Sequence, residues 1–537
     1  MKQTRPSPLP FVVDEDEELL LDDQDKALLK KLASDPFFEL KGKLGAGTYN
    51  CAHLVHDADG NRQVLRVGFL PDLKDDLNSV KHNKMITRGL EMVHAFQSYK
   101  SLLGPSLLQE ASKYRIIKES ELQDYVYGSL CDEMMNGKVA GVRNYQKQQQ
   151  QQQEDNSTTT YENHFALQHL EYLAGGMFTY EAQLATQMVE QNSYLFMVFS
   201  LIWFLVMAQK SFSFRHRDLK ADNIIMRKIN DEQNPKRTKL FAFELRVKPQ
   251  EAWYFHFESK AVPVIIDFDF ATTTETEDIR DKQVMGTAYT APPDVILRRL
   301  CAMHKFEGYR IAQYEQGYDW WSLGICLLES ILPGVIMFFR KECATFADKV
   351  ALRLKLNDKS PLYQGTLRYS EALFYGYCMA SVFSGTSPSV KPPLEWYNGP
   401  KAFRITNEDN AMIYTNAQYF FLMDWFYEKV QNQVFIATFL SNMLHWDTAR
   451  RDLGGDPMQY ILYFEVAAEK QPRPGVNYEY KGVRRPKLVS LEAYPLLKAS
   501  VCSSCFSQRE KQQQHQLFLC PCCKHIFCSE ECQIKKH

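Results

Sequence analysis

The stretch that decides the fold is HRDLKADN, residues 216–223, which follows a long apolar run. It supplies three different groups at D-x-K-x-x-N spacing: the carboxylate of Asp218, the cation of Lys220 and the amide of Asn223. Phosphoryl transfer needs a carboxylate to orient the acceptor hydroxyl and take its proton, a cation near the transferred group, and an oxygen ligand for a metal ion. The segment therefore predicts a phosphoryl-transfer site in which Asp218, Lys220 and Asn223 take these three roles.

Two downstream motifs extend this prediction. The apolar run VII at 264–266 ends in Asp267, an arrangement that delivers a carboxylate to a Mg²⁺ (or Mn²⁺) ion. Further on, YDWWSLGI at 318–325 predicts the start of a helix, with Asp319 accepting hydrogen bonds from the backbone of residues 216–223. We also expect Arg217 to pair with a phosphate on the loop after Asp267. The candidate acceptors there are Thr272, Thr273, Thr274, Thr276 and Thr287.

The motifs that precede residue 216 are weaker indications of a phosphoryl-transfer site. The sequence LGAGTY at 44–49 lies between two strand-like runs, and glycines there allow a tight hairpin whose backbone N–H groups approach phosphate. A plain turn between two strands, with no role in phosphate binding, is the alternative explanation of these residues. On the third strand-like run Arg66 is placed to reach the α and β phosphates, and a solvated strand arginine is the alternative. The candidate phosphate-binding residues are Gly45, Ala46, Gly47, Thr48 and Arg66.

Length and composition set the domain count and the class of protein. A chain of 537 residues with 45% apolar content is expected to form two or three globular domains. The net charge of -2 gives no indication of nucleic-acid or anionic-membrane binding. The apolar run at 194–208 is shorter than the roughly 20 residues needed to cross a bilayer, so it predicts a buried helix. We expect no membrane association and a cytoplasmic or nuclear location.

The pattern along the chain divides it into four parts and two insertions. The first insertion contains a glutamine run and is predicted to be disordered, because it has too little apolar surface to bury. The predicted parts are an N-terminal extension 1–35, a main domain 36–470 with insertions at 135–162 and 228–262, a linker 471–497, and a cysteine-rich segment 498–537.

From about residue 37 to about residue 468 the chain resembles a eukaryotic-type protein kinase. The motifs that carry the resemblance are 45–50, Arg66, 171–173, 216–223, 267–269, 291–293 and Asp319. The resemblance implies a bilobal α+β fold with ATP between a β-rich N-lobe and a helical C-lobe. It also implies that Glu171 and Leu173 form the hinge beside ATP, and that Glu91 pairs with Arg66. For Glu91, an exposed helical glutamate is the alternative.

The chain departs from the kinase pattern at several positions. Arg66 replaces a lysine, and its planar guanidinium differs in shape from an ammonium group. Asp269 replaces a glycine and adds a carboxylate beside the metal site. Pro293 stands where a glutamate normally pairs with a distant arginine, and Asp294 with Arg450 or Arg451 is expected to substitute.

The resemblance also bears on the substrate. Lys220 is similar to the serine/threonine type of kinase, and the motifs at 286–292 and 319–324 favour a protein acceptor. We therefore expect an ATP-dependent kinase that transfers the γ-phosphoryl group to Ser or Thr of a protein. Two alternatives stay open: a pseudokinase scaffold that acts through protein–protein interactions, and a small-molecule kinase.

The C-terminal segment indicates a second kind of site. Seven of the thirteen cysteines lie in the last 36 residues, and six of them form three pairs separated by two or three residues, a spacing typical of tetrahedral Zn²⁺ and less so of disulfides. The segment resembles HIT-type and MYND-type zinc fingers, which implies a small treble-clef-like finger that binds a protein partner. The implied Zn²⁺ ligands are Cys502, Cys505, Cys528 and Cys532 for one ion, and Cys520, Cys523 and His537 for a second. The fourth ligand of the second site is left open between Cys522, His525 and no protein ligand, in which case the site is partial.

Overall fold

The structure is a computed structural model, and its chain divides into two compact units. One unit comprises Met1–Ser98 and Leu108–Gly176, and the other comprises Tyr99–Leu107 and Met177–His537. The residues described are 39–46, 50–56, 60–70, 77–118, 164–176, 178, 191–229, 238–248, 250–273, 286–306, 317–383, 400–406, 408–409, 434–453, 456–483, 489–490, 518–519 and 526–527. The predicted N-terminal extension 1–35 and the predicted disordered insertion 135–162 lie outside them.

The first unit is built on a five-stranded antiparallel sheet with strand order β1-β2-β3-β5-β4. Strands β2 and β3 pair in antiparallel register, and Gly60, two residues before β3, has a left-handed φ of 79°, which glycine adopts without strain. In the part of this unit that the structure describes, helix α1 packs its apolar side on the sheet around Leu70, Ile86 and Leu90. The elements are β1 (Glu39–Ala46), β2 (Asn50–His56), β3 (Arg62–Leu70), α1 (Leu77–Phe96), β4 (Arg115–Lys118) and β5 (His164–Glu171).

The second unit is organised around the helix α3 (Gln191–Phe212). By length and composition alone its segment Ser193–Phe212 is able to cross a membrane, but 94% of that segment is buried inside the protein. The prediction of a buried helix at 194–208 is therefore confirmed. An apolar helix of this kind forms the centre of a core because it offers no polar face to water.

The other helices of this unit are short to medium in length. In the described residues they are α2 (Lys100–Leu103), α4 (Pro293–Met303), α5 (Tyr318–Ile331), α6 (Arg340–Arg353), α7 (Tyr363–Phe383), α8 (Val434–Met443), α9 (Thr448–Arg451) and α10 (Gln459–Leu462). Two strands, β6 (Ile224–Lys228) and β9 (Ala261–Ile265), form an antiparallel pair that carries the candidate site at one end.

A second sheet in this unit has the strand order β10-β7-β8. Its strands are β7 (Lys239–Lys248), β8 (Glu251–Ser259) and β10 (Tyr480–Val483), and β10 runs parallel to β7. The phenylalanines that alternate along β7 and β8 face α3: Phe241 stacks on Phe196 at 4.6 Å, and Phe255 lies 4.9 Å from Phe199. Alternating apolar residues make one face of a hairpin apolar, and that face packs on the core helix.

The structure differs here from the predicted domain boundaries. The second insertion, 228–262, contains the ordered β7–β8 hairpin, and the predicted linker, 471–497, contributes β10 to the same sheet. The folded unit therefore continues past residue 470, because Tyr480 packs its ring 5.0 Å from Phe243. Four residues are too few for a strand to be recognised from periodicity alone.

The cysteine-rich segment 498–537 is described only at β12 (Phe518–Leu519) and β13 (Ile526–Phe527). These form a small antiparallel sheet with β11 (Val489–Ser490) of the predicted linker. In sequence, Cys520 and Cys523 fall in the connection between β12 and β13. All of the predicted zinc ligands lie outside the described residues.

The aromatic packing on α3 gives a test of the fold. Phe199 is fully buried and contacts Phe243, Phe255, Phe257 and Phe464 at ring distances of 4.8–4.9 Å. We expect Phe199→Ala to lower the free energy of unfolding by about 3–5 kcal/mol, the usual effect of emptying a buried aromatic site. Urea denaturation measures it. The control Leu240→Ala, on an exposed hairpin position, should change it by less than about 1 kcal/mol, and equal losses would contradict this packing.

Candidate active site

Residues 216–223 are held in place by the carboxylate of Asp319 in the first turn of α5. Its two oxygens accept hydrogen bonds from the backbone N–H groups of His216 at 2.7 Å and Arg217 at 2.9 Å. Asp319 is fully buried, and two N–H donors offset the desolvation of its charge. The predicted role of Asp319 is therefore confirmed.

The side chain of Asp218 is buried in a set of hydrogen bonds. One carboxylate oxygen accepts from the backbone N–H of Thr287 at 2.7 Å and from its hydroxyl at 2.9 Å. The other lies 3.4 Å from the ammonium group of Lys220 and 3.4 Å from the amide nitrogen of Asn223. That amide also donates to the Asp218 carbonyl oxygen at 2.8 Å. The three predicted residues therefore meet, in contact with one another, in the second unit.

Thr287 has a role that the sequence analysis missed. It was named as a phosphate acceptor, but in the structure its hydroxyl bonds to Asp218 and lies 3.4 Å from the Lys220 ammonium. Thr272 and Thr273, also named as acceptors, are both 2% exposed, and Thr272 forms a backbone bridge with Arg215. A buried hydroxyl is not exposed to a modifying enzyme in this conformation, and Thr274 and Thr276 lie outside the described residues.

The β6–β9 pair brings the two predicted magnesium ligands to the same end of the unit. Asn223 immediately precedes β6, Asp267 follows β9, and the register pairs Ile224 with Ile265. The N–H of Ile266 donates to the Asn223 carbonyl at 2.9 Å. Asp267 has a left-handed φ of 63°. An unusual conformation of this kind in a non-glycine residue is frequent at functional sites.

The donor set fits Mg²⁺ better than a metal held only by protein. Among the described residues no group of three or more His, Cys, Asp or Glu is placed to hold a metal ion. Mg²⁺ commonly takes one or two protein oxygens together with water and substrate phosphates. Asn223 and Asp267 supply protein oxygens of this type.

A ring cluster supports the backbone around Asp267. Phe268 is buried and lies 5.3 Å from the His216 ring and 5.6 Å from the Phe214 ring. The His216 ring also makes a hydrogen bond of 2.9 Å with the Ile266 carbonyl. These contacts fix residues 214–216 and 266–268 to each other, so the loop that carries Asp218 and the turn that carries Asp267 form one rigid body.

In the first unit Arg66 lies in the middle of β3, between Ala52 of β2 and Gln168 of β5. Its 8% exposure excludes a solvated strand arginine. Glu91 of α1 is half-buried and accepts a 2.8 Å hydrogen bond from the hydroxyl of Tyr114. Burial first, and this bond second, raise the pKa of Tyr114 to about 12. The alternative of a freely exposed glutamate therefore does not describe Glu91.

The remaining predicted residues of this unit lie at strand ends. Gly45 and Ala46 end β1 and pair with Ala52 and Cys51 of β2, so a hairpin is present where the glycine loop was predicted. Gly47 and Thr48 lie outside the described residues. The Glu171 carboxylate at the end of β5 accepts from the N–H of Gln109 at 2.6 Å, and Leu173, two residues further on, is half-buried.

The segment after Thr287 is tied down by a buried ion pair. Arg451, fully buried, donates to the Asp294 carboxylate at 2.7 Å, to the His445 carbonyl at 2.6 Å, and stacks over the Trp321 ring at 4.9 Å. The expected substitution for the glutamate–arginine pair is confirmed, with Arg451 as the arginine. Removing one member would leave the other charge buried and unpaired.

A second acidic group lies further along α5. Burial first, and the charge of Asp222 second, raise the pKa of Glu329 to about 7 from its ordinary value of 4.5. Asp222 is itself part of the loop 216–223 and is exposed. The loop thus has negative potential on the side of Asp222, and no sequence motif had pointed to Glu329.

The comparisons with known proteins give little guidance. No family model matches the chain, and no curated protein matches it. Among solved structures, a MAP kinase from Leishmania major is similar, with 12% sequence identity and a TM-score of 0.38. The match covers 82% of this chain and 87% of that chain. A likeness this distant assigns no family.

The raised pKa of Glu329 predicts a pH-dependent stability. A carboxyl whose pKa is higher in the folded than in the unfolded state weakens the fold as the pH rises between those two values, here from about 4.5 to about 7. Glu329→Gln removes this pH-dependent loss of stability. When the pH is raised from 5 to 8, we expect the unfolding free energy of the variant to increase relative to that of the wild type by on the order of 1–3 kcal/mol. Urea denaturation at both pH values measures it, with the exposed Glu408→Gln as a control that should show no such gain.

Proposed function

We propose that this protein is an ATP-dependent protein kinase that transfers the γ-phosphoryl group to a Ser or Thr hydroxyl. The observation that carries the proposal is the contact of Asp218, Lys220, Asn223 and Thr287 on a loop fixed by Asp319. A base, a cation and an amide ligand held together in this way are the parts that phosphoryl transfer requires.

Each side chain of the second unit has one role in the proposed reaction. Asp218 orients the acceptor hydroxyl and takes its proton as the oxygen bonds to the γ-phosphorus. The bond from that phosphorus to the β–γ bridging oxygen breaks, and ADP leaves. Lys220 lies beside Asp218 and offsets the negative charge that develops on the transferred group. Asn223 and Asp267 would hold Mg²⁺ (or Mn²⁺), which supplies charge neutralisation of the ATP phosphates when bound.

In the first unit the proposal assigns nucleotide binding to the β1–β2 hairpin and to β3. Arg66 is buried, so its guanidinium is a stronger partner for phosphate than an exposed one. Gly45, Ala46, Gly47 and Thr48 would contribute backbone N–H groups, while Glu171 and Leu173 would lie beside the base. Glu91 would position Arg66.

Thr287 supports a protein acceptor. The stretch that begins at Thr287 is rigid: Tyr289 donates to Glu371 at 2.6 Å and the Thr290 carbonyl accepts from Ser322 at 2.8 Å. A rigid segment bonded to the catalytic base provides a surface on which a peptide can be aligned. We therefore favour serine or threonine in a protein over a small molecule.

One observation favours a pseudokinase scaffold as the second candidate. In this conformation the Glu91 Oε1 atom accepts a hydrogen bond from Tyr114, so the carboxylate that would position Arg66 is shared with another partner. A chain in which this state dominates would bind nucleotide weakly and act through its partners. The C-terminal segment, which we propose to be a zinc finger that recruits a protein in the cytoplasm or nucleus, would then carry the function.

The proposal is tested by phosphate transfer from ATP with Mg²⁺ or Mn²⁺. We expect Asp218→Asn and Asp267→Asn each to lower the rate by at least about 100-fold, because each removes a charge used in the transition state. The exposed Asp358→Asn is the matched control and should leave the rate unchanged. Undiminished transfer by Asp218→Asn would refute its assigned role. A wild type that binds ATP without turnover would instead support the scaffold.

Zinc content tests the C-terminal proposal. We expect the full-length chain to carry about one to two zinc ions, because paired thiolates hold Zn²⁺ in closed tetrahedral sites. Replacing Cys502 and Cys505 by Ser should remove about one of them. Cys301→Ser and Cys326→Ser, which change buried single thiols, are the controls and should remove none. A full-length protein free of metal would refute the finger.

A further inference from the structure

Arg227 of β6 is a buried cation that has no part in the proposed transfer step. It is 9% exposed. Arginine is rarely buried, because its guanidinium group carries five N–H donors that lose their water and must meet acceptors inside the protein. The acceptors that Arg227 meets therefore indicate which part of the chain it holds in place.

The guanidinium group of Arg227 bonds to a turn that is distant in sequence, residues 105–107, named here the 105–107 turn. One terminal nitrogen donates to the Pro105 carbonyl and the other to the Leu107 carbonyl, both at 3.0 Å. A planar guanidinium group fixes two points at once, which the single nitrogen of a lysine does not do with the same geometry. Arg227 therefore sets the position of the 105–107 turn relative to β6.

The carbonyl between these two acceptors bonds to the other strand of the pair. Ser106 is fully buried, and its carbonyl accepts from the N–H of Ile265 at 3.0 Å. Ile265 is the last residue of β9. A buried N–H at the end of a strand needs an acceptor, and the 105–107 turn supplies it. The turn is thus bonded to β6 through the side chain of Arg227 and to β9 through its own backbone.

The residues that follow Ile265 carry the proposed metal site. The N–H of Ile266 donates to the Asn223 carbonyl at 2.9 Å, and Asp267 comes next with its left-handed φ of 63°. A non-glycine residue keeps such a conformation where the surrounding structure holds it. The bond from Ile265 to the 105–107 turn lies two residues before Asp267, so the turn acts directly on this segment.

Helix α3 supports the 105–107 turn from a second direction. The indole nitrogen of Trp203, a fully buried residue, donates to the Leu102 carbonyl at 2.9 Å. Gly104 lies so close to the same ring that an added Cβ would be 2.7 Å from it. The residues that lead into the turn are therefore fixed, and the two bonds of Arg227 hold the turn itself against β9.

We propose that Arg227 is a positioning residue for the magnesium ligands: by holding the 105–107 turn against β9, it fixes residues 265–267 and thereby the Asp267 carboxylate and the Asn223 amide. The inference deepens the proposed kinase function and rests on it for the metal ion, whereas the contacts of Arg227 do not. Arg227 acts through the turn and β9, so its role is to position other groups.

The test uses the full-length chain with two substitutions at one position. Arg227→Met removes both donors and keeps a long apolar side chain, and Arg227→Lys keeps the charge but offers one nitrogen in place of two. The matched control is Arg353→Met, because Arg353 also donates to two carbonyl oxygens, those of Ala402 at 3.3 Å and Arg404 at 3.0 Å.

The first readout is amide hydrogen exchange without nucleotide or metal. We expect exchange at Ile265 and Ile266 to become about tenfold faster in Arg227→Met and about threefold faster in Arg227→Lys, with α5 unchanged. Arg353→Met should leave both rates at the wild-type value. Ser106→Ala should leave them unchanged too, because Ile265 bonds to the carbonyl of Ser106 and not to its hydroxyl.

The second readout is the binding of Mn²⁺ in the presence of ADP, measured by electron paramagnetic resonance. Loss of a group that orients a metal ligand directly lowers metal affinity roughly 10–100-fold, and a group that acts through the backbone should do less. We expect the Kd for Mn²⁺ to rise about fivefold in Arg227→Met and about twofold in Arg227→Lys, with Arg353→Met like the wild type. At saturating Mn²⁺ kcat should stay within about twofold of the wild type, because Asp218 keeps its contacts.

The proposal is overturned if exchange at Ile265 and Ile266 keeps the wild-type rate in both variants. Faster exchange that includes α5 also overturns it, because Arg227 would then stabilise the whole second unit. So does an unchanged Kd for Mn²⁺ beside faster local exchange, because the turn would then not act on the ligands. A wild type that binds no Mn²⁺ would refute the metal site of the proposed kinase, while the exchange readout would still decide whether Arg227 holds the turn. If Arg227→Met does not fold, Arg227→Lys decides by the same criteria.

Discussion

The buried carboxylate of Asp319 is the constraint on which the candidate site depends. A negative charge that is buried away from water needs hydrogen-bond donors, and here the donors are the backbone N–H groups of His216 and Arg217. To present both N–H groups to one carboxylate, Arg217 adopts a left-handed φ of 65°. The next residue is Asp218. The direction of the Asp218 side chain is therefore set by Asp319, a residue distant in sequence. The same turn leaves room only for glycine at position 286, because an added Cβ on Gly286 would lie 2.3 Å from the Arg217 carbonyl.

Helix α5 extends this constraint to the segment after Thr287. Three positions near its N-terminus carry it: Asp319 holds the loop, Trp321 lies under the Arg451 guanidinium, and Ser322 donates to the Thr290 carbonyl. Successive residues on a helix point in different directions, so one buried turn holds three separate parts of the chain. A shift of α5 would displace all three parts of the chain together. That makes the site rigid without any ligand, as the stabilisation of charge in a transition state requires.

The motifs allowed the site to be predicted where its residues are close in sequence or joined by a regular pattern. Asp218, Lys220 and Asn223 span six positions, and Asp319 was recognised from its own helix motif. Contacts between distant segments were not visible: Thr287 reaches Asp218 across 69 positions, and Glu91 bonds to Tyr114 on a different element. The raised pKa of Glu329 depends on burial, which a local pattern does not report. The hairpin at β7 and β8 has a clear alternation, yet its partner β10 has only four residues and was assigned to a linker.

The second sheet contributes in the same way, through contacts between distant segments of the chain. The site residues are held by such contacts, as those of Asp319 with residues 216–217 and of Thr287 with Asp218 show. Residues 99–107 are held similarly. Besides the local bond from the Gly104 N–H to the Lys100 carbonyl, carbonyls of this segment accept from Trp203, Arg227 and Ile265, and the Ser101 hydroxyl donates to the Glu479 carbonyl next to β10. A segment held by several distant partners is positioned by all of them jointly, and loosening one partner shifts the free energy of the others. Parts of the chain that were predicted to be an insertion and a linker therefore take part in fixing residues 99–107.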